Sequence, residues 1–119
     1  MSRQHHASNV TTTSRRASVT VEDHERVAVV TVTGELDACI APEVEHKVRA
    51  AAHRRPLTLV LDLGEVTFVD LTALRMLAAL RRSDVVGSML VVVSSPAVDR
   101  VRALVRRVRH DSPVAPVAA

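Results

Sequence analysis

The stretch that decides the fold runs from residue 57 to residue 82 and reads LTLVLDLGEVTFVDLTALRMLAALRR. It opens with a near-continuous apolar run at 57–63, which is typical of a strand covered on both faces. A loop follows, and it ends at Asp70. Apolar residues then recur at helical spacing and predict a helix that ends near Arg82, namely Leu74, Leu77, Ala78 and Leu80. A buried strand that leads into an amphipathic helix is a building block of α/β folds.

The same alternation continues on both sides of this stretch. Strands are predicted at 18–24 and 26–34, close enough to pair as a hairpin, and another at 89–95. One further helix begins at Pro42, with apolar positions at Val44, Val48 and Ala51, and a last helix carries a stripe of five residues, Val98, Val101, Leu104, Val105 and Val108. The order ββαβαβα predicts an α/β fold, a small sandwich in which helices pack against a mostly parallel sheet.

The chain has 119 residues, which is room for one domain. Residues 1–17 are polar and bury too little apolar surface to offset the entropy of ordering, so they are predicted to be a disordered tail. The domain is predicted over 18–110. Residues 111–119 contain two prolines and no helical pattern, which predicts a short C-terminal tail.

Composition excludes several function classes. The three glycines form no phosphate-binding motif, and Phe68 is the only aromatic residue, so nucleotide enzymes and base-stacking modules are disfavoured. The 16 basic and 13 acidic residues leave too small a surplus to indicate direct nucleic-acid binding. The sequence shows neither a secretory signal nor an apolar run of the roughly 20 residues that a membrane helix needs. We therefore expect a cytoplasmic protein without membrane contact.

The titratable residues show no metal or cofactor pattern. Four of the six histidines have no Cys or carboxylate at ligand spacing, and His5 and His6 lie in the polar tail, where adventitious metal binding is the alternative to plain solvation. Neither a metal nor a cofactor is expected. Cys39 is the only cysteine, and we expect a buried thiol, with an intermolecular disulfide or a cysteine–histidine nucleophile pair as alternatives. The arginines between 100 and 109 predict a solvated outer helix face, and an acidic partner, a membrane or RNA are the alternatives.

The start of the helix after Asp70 is the most informative candidate site. Asp is a favoured N-cap because its carboxylate accepts a hydrogen bond from an amide of the first helical turn. Thr72 then falls in that turn, at the positive end of the helix dipole, where an anionic oxygen or a phosphate is stabilised. The plain alternative is that Asp70 only caps the helix and Thr72 is an ordinary polar residue.

Three segments together resemble the STAS family of anti-sigma-factor antagonists. LVLDLGEVTFVDLTALRML resembles the family's core motif, VAVVTVTGELDACIAPEVE its second strand, turn and first helix, and LVVVSSPAVDRVRAL its later strand and helix. The match covers about residues 18–108. The family commonly continues into a further strand and a last helix, of which VAPV at 114–117 would be a stub.

The resemblance implies a partner-switching regulator that is not an enzyme. Such proteins bind an anti-sigma factor that is also a protein kinase, and they thereby release a sigma factor. The kinase phosphorylates a Ser or Thr at the start of the second helix, which breaks the complex, and a phosphatase resets it. In this chain the implied phosphoacceptor is Thr72, and Asp70 orients it. The implied partner-binding residues are Asp37, Leu71, Ala73 and Arg75.

Two positions depart from the family's motif. Leu71 stands where the family usually has Ser, and Ala73 stands where it usually has Gly. These departures fit an alternative function, a STAS adaptor subunit of a lipid-transport or transporter complex that is not phosphorylated. An enzyme that uses Cys39 or Asp70 is the third hypothesis.

Overall fold

The computed structural model describes the backbone of residues 10–13, 16–83 and 89–111, and the side chains of residues 16–83 and 89–107. The described elements are β1 (Val10–Thr13), β2 (Ala17–His24), β3 (Val27–Leu36), α1 (Ala41–His53), β4 (Thr58–Val69), α2 (Leu71–Arg82), β5 (Met89–Val93) and α3 (Pro96–Asp111). The strands form one sheet in the order β1-β2-β3-β4-β5. The predicted α/β class is confirmed. The sheet itself is mixed, because β1, β2 and β3 are antiparallel neighbours whereas β3, β4 and β5 are parallel.

The helices cover one face of this sheet. Leu59, Leu61 and Leu63 of β4 are at most 1% exposed, and they share a core with the buried positions of α1, α2 and α3. On the opposite face, Val60 and Asp62 of β4 are only half-buried, and Val91 and Val93 of the neighbouring β5 are 38% and 43% exposed. The prediction that the run at 57–63 is covered on both faces is therefore wrong. The helices that follow β3, β4 and β5 all pack on the same side, which leaves the other side open to solvent.

Strand β4 is longer than predicted. It continues past residue 63 to Val69, because β3 also extends to Leu36 and pairs with β4 to the end of both strands. The predicted loop before Asp70 is therefore strand, interrupted only by two register shifts in the β3–β4 ladder. Beside one of these shifts, Gly34 has φ of +90°, and a Cβ there would lie 2.1 Å from the carbonyl oxygen of Arg16. Only glycine fits this close approach of two strands without strain.

Helix α1 follows the sequence prediction closely. Val44, Val48 and Ala51 are completely buried, and Pro42 stands in the first turn, where its missing N–H costs no helical hydrogen bond. On the solvent side, Arg49 pairs with Glu45 at 2.9 Å, at the i,i+4 spacing that places two side chains on one helix face. Helix α3 fits less well: Val98 is buried, but Leu104 of the predicted stripe is 58% exposed.

The predicted N-terminal tail is wrong at residues 10–13. These residues form β1, which pairs antiparallel with β2 and is in register from Val10 opposite Val21 to Thr13 opposite Ser18. Backbone hydrogen bonds to a neighbouring strand do not require apolar side chains, and threonine is β-branched and favours strands. Residues 1–9 and 112–119, which contain most of both predicted tails and the VAPV stub, lie outside the described residues.

Candidate functional site

The site is built around Asp70, which joins the end of β4 to α2. Its backbone is extended, as at most helix N-caps, and its Oδ1 accepts a hydrogen bond from the Ala73 amide at 2.8 Å. Its Oδ2 accepts a second hydrogen bond, from the Ala38 amide at 2.9 Å. One carboxylate therefore caps α2 and also fixes the loop between β3 and α1. The capping role was predicted, whereas the bond to Ala38 requires the parallel alignment of β3 and β4.

Asp37 organises that same loop. Its Oδ1 accepts hydrogen bonds from the amides of Cys39 at 3.0 Å and Ile40 at 3.2 Å, and its carbonyl oxygen accepts from Ala41 at 2.9 Å. Helix α1 therefore starts on an Asx turn. The carboxylates of Asp37 and Asp70 accept from the consecutive amides of Cys39 and Ala38, so the two negative charges lie beside each other at this edge of the molecule.

Thr72 lies in the first turn of α2 and is exposed, as are Leu71 and Arg75. Leu71 is 46% exposed, a large fraction for an apolar residue at the start of a packed helix. The first turn contains no acidic side chain, so Asp70 supplies the negative charge that the helix dipole favours there. The structure therefore brings a hydroxyl, an apolar side chain and a cation together on one accessible surface, beside two carboxylates.

Two residues of this region differ from expectation. Ala73 is completely buried, so its side chain does not reach a partner and it is left out of the surface. Cys39 is exposed, which corrects the expectation of a buried thiol. It lies on the loop that Asp37 and Asp70 hold, where the amides are engaged and the side chain points outward.

Sequence reasoning missed Phe68 as a site residue. This only aromatic side chain of the protein is 49% exposed and lies near the end of β4, opposite Glu35 of β3. The burial pattern of β4 changes from strict alternation to pairs of exposed positions, first at Gly64 and Glu65 and again at Thr67 and Phe68. In the sequence, the apolar residues Val66, Phe68 and Val69 already break the period-2 alternation of a strand. The sequence does not show which of these three side chains faces solvent.

The described residues contain no group of three or more His, Cys, Asp or Glu side chains that would hold a metal ion. Over the same part of the chain, no helix is long and apolar enough to cross a membrane.

Comparisons with known proteins place the chain in a family. Residues 19–115 match the family model described as Mlab, STAS domain. The anti-sigma-F factor antagonist RsfB of Mycobacterium tuberculosis is 39% identical over 62 residues, which are 52% of this chain and 51% of RsfB. The chain thus matches about half the length of this curated relative.

Two solved structures are also similar. An anti-sigma factor antagonist from Mycobacterium paratuberculosis superposes with a TM-score of 0.64 and 33% identity, over 85% of this chain and 86% of that one. The unphosphorylated form of SpoIIAA, an anti-sigma factor antagonist, superposes with a TM-score of 0.55 over 79% of this chain and 98% of that one. At 18% identity, SpoIIAA supports the fold alone. With a family model that spans nearly the whole domain and the expected strand–Asp–helix junction in place, this chain belongs to the STAS domain family.

Proposed function

We propose that this protein is an anti-sigma-factor antagonist. It binds an anti-sigma factor that is also a serine/threonine kinase, releases a sigma factor, and is switched off by phosphorylation of Thr72. The observation that carries the proposal is the exposure of Thr72 in the first turn of α2, directly after the Asp70 cap. The similarity to antagonists from two mycobacteria supports the partner class. The protein itself acts by being bound, without catalysis.

The proposed complex rests on the surface around Thr72. Leu71 and Phe68 offer apolar area to a partner, and Arg75 offers a cation one helical turn after Leu71. Asp37 contributes indirectly, because its carboxylate holds the adjacent loop in place. Exposed apolar side chains with charges at their rim are typical of protein interfaces.

Phosphorylation adds a charge of about −1.5 to −2 at neutral pH. The N-terminus of α2 tolerates that charge, so the fold is retained. The phosphate, however, enters a region that already holds the carboxylates of Asp37 and Asp70. A partner surface fitted to the unmodified threonine then meets added bulk and added negative charge. A loss of about 3 kcal/mol would weaken binding roughly a hundredfold.

The test is an in vitro kinase reaction with the kinase-type anti-sigma factors encoded in the source genome, followed by mass spectrometry. We expect one phosphate on the wild type, none on Thr72→Ala, and one on Thr72→Ser. Thr67→Ala is the matched control, because Thr67 is a nearby exposed threonine outside α2. Phosphate that persists in Thr72→Ala, or a kinase that binds tightly without modifying Thr72, would contradict the switch.

The second candidate is an adaptor subunit of a lipid-transport or transporter complex that is not phosphorylated. The description of the matched family model, Mlab, favours it, as does Leu71 at the position where the family usually has a hydroxyl. Co-purification with a permease and an ATPase, together with no phosphate at Thr72, would select this function over the first. A phosphatase that removes phosphate from Thr72 would select the first.

A further inference from the structure

A groove of about 840 Å³ lies between α2 and α3. Helix α3 packs mainly on β4 whereas α2 packs mainly on α1, and the groove lies between the two helices. Leu63 and Val92 line it from the sheet, and Leu74 and Leu77 line it from α2. Leu104, which is 58% exposed, lines it from α3. The groove therefore presents apolar surface on three sides.

Arginines surround this apolar surface. Five of the protein's 16 basic residues line the groove, and none of the described residues that line it is acidic. Three come from α2 and two from α3, namely Arg75, Arg81, Arg82, Arg102 and Arg106. Among the described residues, the only ion pair these arginines make is that of Arg102 with Asp99, at 3.9 Å. Such a concentration of guanidinium groups beside apolar walls, four of them without an ion pair among the described residues, selects for a ligand with both apolar and acidic groups.

We propose that the groove binds an amphipathic helix of a partner protein, with acidic residues on both sides of its apolar stripe. An apolar helix face laid into a groove between two helices is a common mode of recognition. Arginine then adds planar, bidentate contacts to the carboxylates. The concave shape suits a rod-like segment better than a flat lipid surface.

The segment after α3 does not match this occupant in charge, because residues 112–119 contain no acidic residue. A second copy does not fit either. Helix α1 contains Glu43 and Glu45, but its apolar residues Val44 and Val48 are completely buried against its own sheet. Charge complementarity therefore points to a different protein.

The groove begins beside the proposed phosphorylation site, since Leu71 and Arg75 line it. The binding proposed here needs neither phosphorylation nor a kinase. A failure of this proposal would therefore leave the Thr72 switch standing, and the reverse also holds.

The probe is a synthetic helical peptide of about 14 residues, roughly 21 Å long. Leucines and one tryptophan form its apolar stripe, and glutamates flank the stripe. The protein contains no Trp and no Tyr, so tryptophan emission reports the peptide alone and shifts to the blue as the ring enters the groove. We expect the Glu peptide to bind about tenfold or more tighter than the same peptide with Gln at the Glu positions, and the difference to shrink with added salt.

Two double variants of α3 locate the binding. Arg102→Gln with Arg106→Gln removes two charges from the groove, and Arg100→Gln with Arg107→Gln removes two exposed charges of the same helix that do not line it. We expect the first to weaken binding of the Glu peptide about five- to thirtyfold and the second less than about twofold. Circular dichroism checks that both variants fold.

Three results would overturn the proposal. The first is equal affinity for the Glu and Gln peptides, and the second is an equal loss of affinity for the Glu peptide in the two double variants. The third is binding to phosphatidylglycerol vesicles that is stronger than binding to the Glu peptide and is lost when Arg102 and Arg106 are replaced. The last result would assign the groove to an anionic membrane surface instead. Leu104→Ser is a further variant that should leave the fold intact, because this side chain is 58% exposed, and its loss of apolar surface should also weaken binding of the Glu peptide.

Discussion

Replacing Asp70 by Ala tests the junction on which both the fold and the proposed site depend. The substitution removes two hydrogen bonds, one from the Ala73 amide at 2.8 Å and one from the Ala38 amide at 2.9 Å. It keeps the backbone bonds of residue 70, whose N–H donates to Leu36 and whose carbonyl oxygen accepts from Leu74. The effect on stability therefore isolates the carboxylate.

The magnitude follows from the two bonds. Loss of a helix N-cap costs about 1 kcal/mol of protein stability. Loss of a further hydrogen bond to a partly exposed loop costs about 0.5–1 kcal/mol. We therefore expect Asp70→Ala to lower the free energy of unfolding by about 1.5–2 kcal/mol. Asp70→Asn offers one acceptor oxygen and places an NH₂ group against the second donor, so it should keep one bond and lose the other.

The assay is urea unfolding followed by circular dichroism, since the chain has no Trp or Tyr to report by emission. For a protein of this size, Asp70→Ala should lower the urea midpoint by about 1 M with an unchanged m-value. Asp70→Asn should fall between Asp70→Ala and the wild type. Asp99→Ala is the matched control, because it removes another aspartate near the start of a helix. The Asp99 side chain is 64% exposed, and its partners, Ser94 and Arg102, both lie close to it in the sequence.

If Asp70→Ala unfolds at the same urea concentration as the wild type, the dual role of the carboxylate is refuted. Equal losses for Asp70→Ala and Asp70→Asn would also refute it, because the two substitutions remove different numbers of acceptors. A changed m-value would show that the substitution altered the unfolded or native ensemble and not only the two bonds.

Three further predictions test the fold around this junction. Gly34→Ala should lower the stability by about 2 kcal/mol in thermal unfolding, because φ is +90° and a Cβ would lie 2.1 Å from a backbone oxygen. Gly64→Ala should cost less than half as much, because its Cβ would meet only side-chain atoms, the nearest an Asp62 oxygen at 3.1 Å. Leu61→Ala should cost about 2–5 kcal/mol in the same assay, since this side chain is 1% exposed. Leu57→Ala, at 59% exposure just before β4, should cost under about 0.5 kcal/mol, and similar losses in the two would contradict the burial of Leu61 beneath the helices. Cys39 should react with a thiol reagent in the folded protein about as fast as in urea, and strong protection would show that the thiol is buried.

Part of the candidate site is predictable from local chemistry. Asp70 precedes an apolar stripe at helical spacing, which is enough to identify an N-cap, and Thr72 then falls in the first turn without any tertiary information. The i,i+4 pair of Glu45 and Arg49 is equally local. These features depend only on the geometry of one helix, which the chain carries in its own spacing.

Other features depend on which elements become neighbours. The bond from Ala38 to Asp70 joins residues 32 positions apart, and it forms because β3 and β4 end at the same edge. The pairing of Val10–Thr13 with β2 overrides a polar composition that predicts disorder. The exposure of Phe68, Cys39 and Leu104 likewise follows from packing and not from residue type.

The amino-acid sequence by itself determined the α/β class, the order of the elements in the body of the chain and the capped start of α2. Those properties follow from the periodicity of apolar residues and the hydrogen-bonding capacity of single side chains. The tertiary structure alone decided that the sheet is open on one face, that two carboxylates share one loop, and that α2 and α3 stand apart with arginines between them. The physical reason is that the periodicity of apolar residues shows which side of a helix or strand is apolar, whereas the contacts of that side depend on how the elements pack in the folded chain.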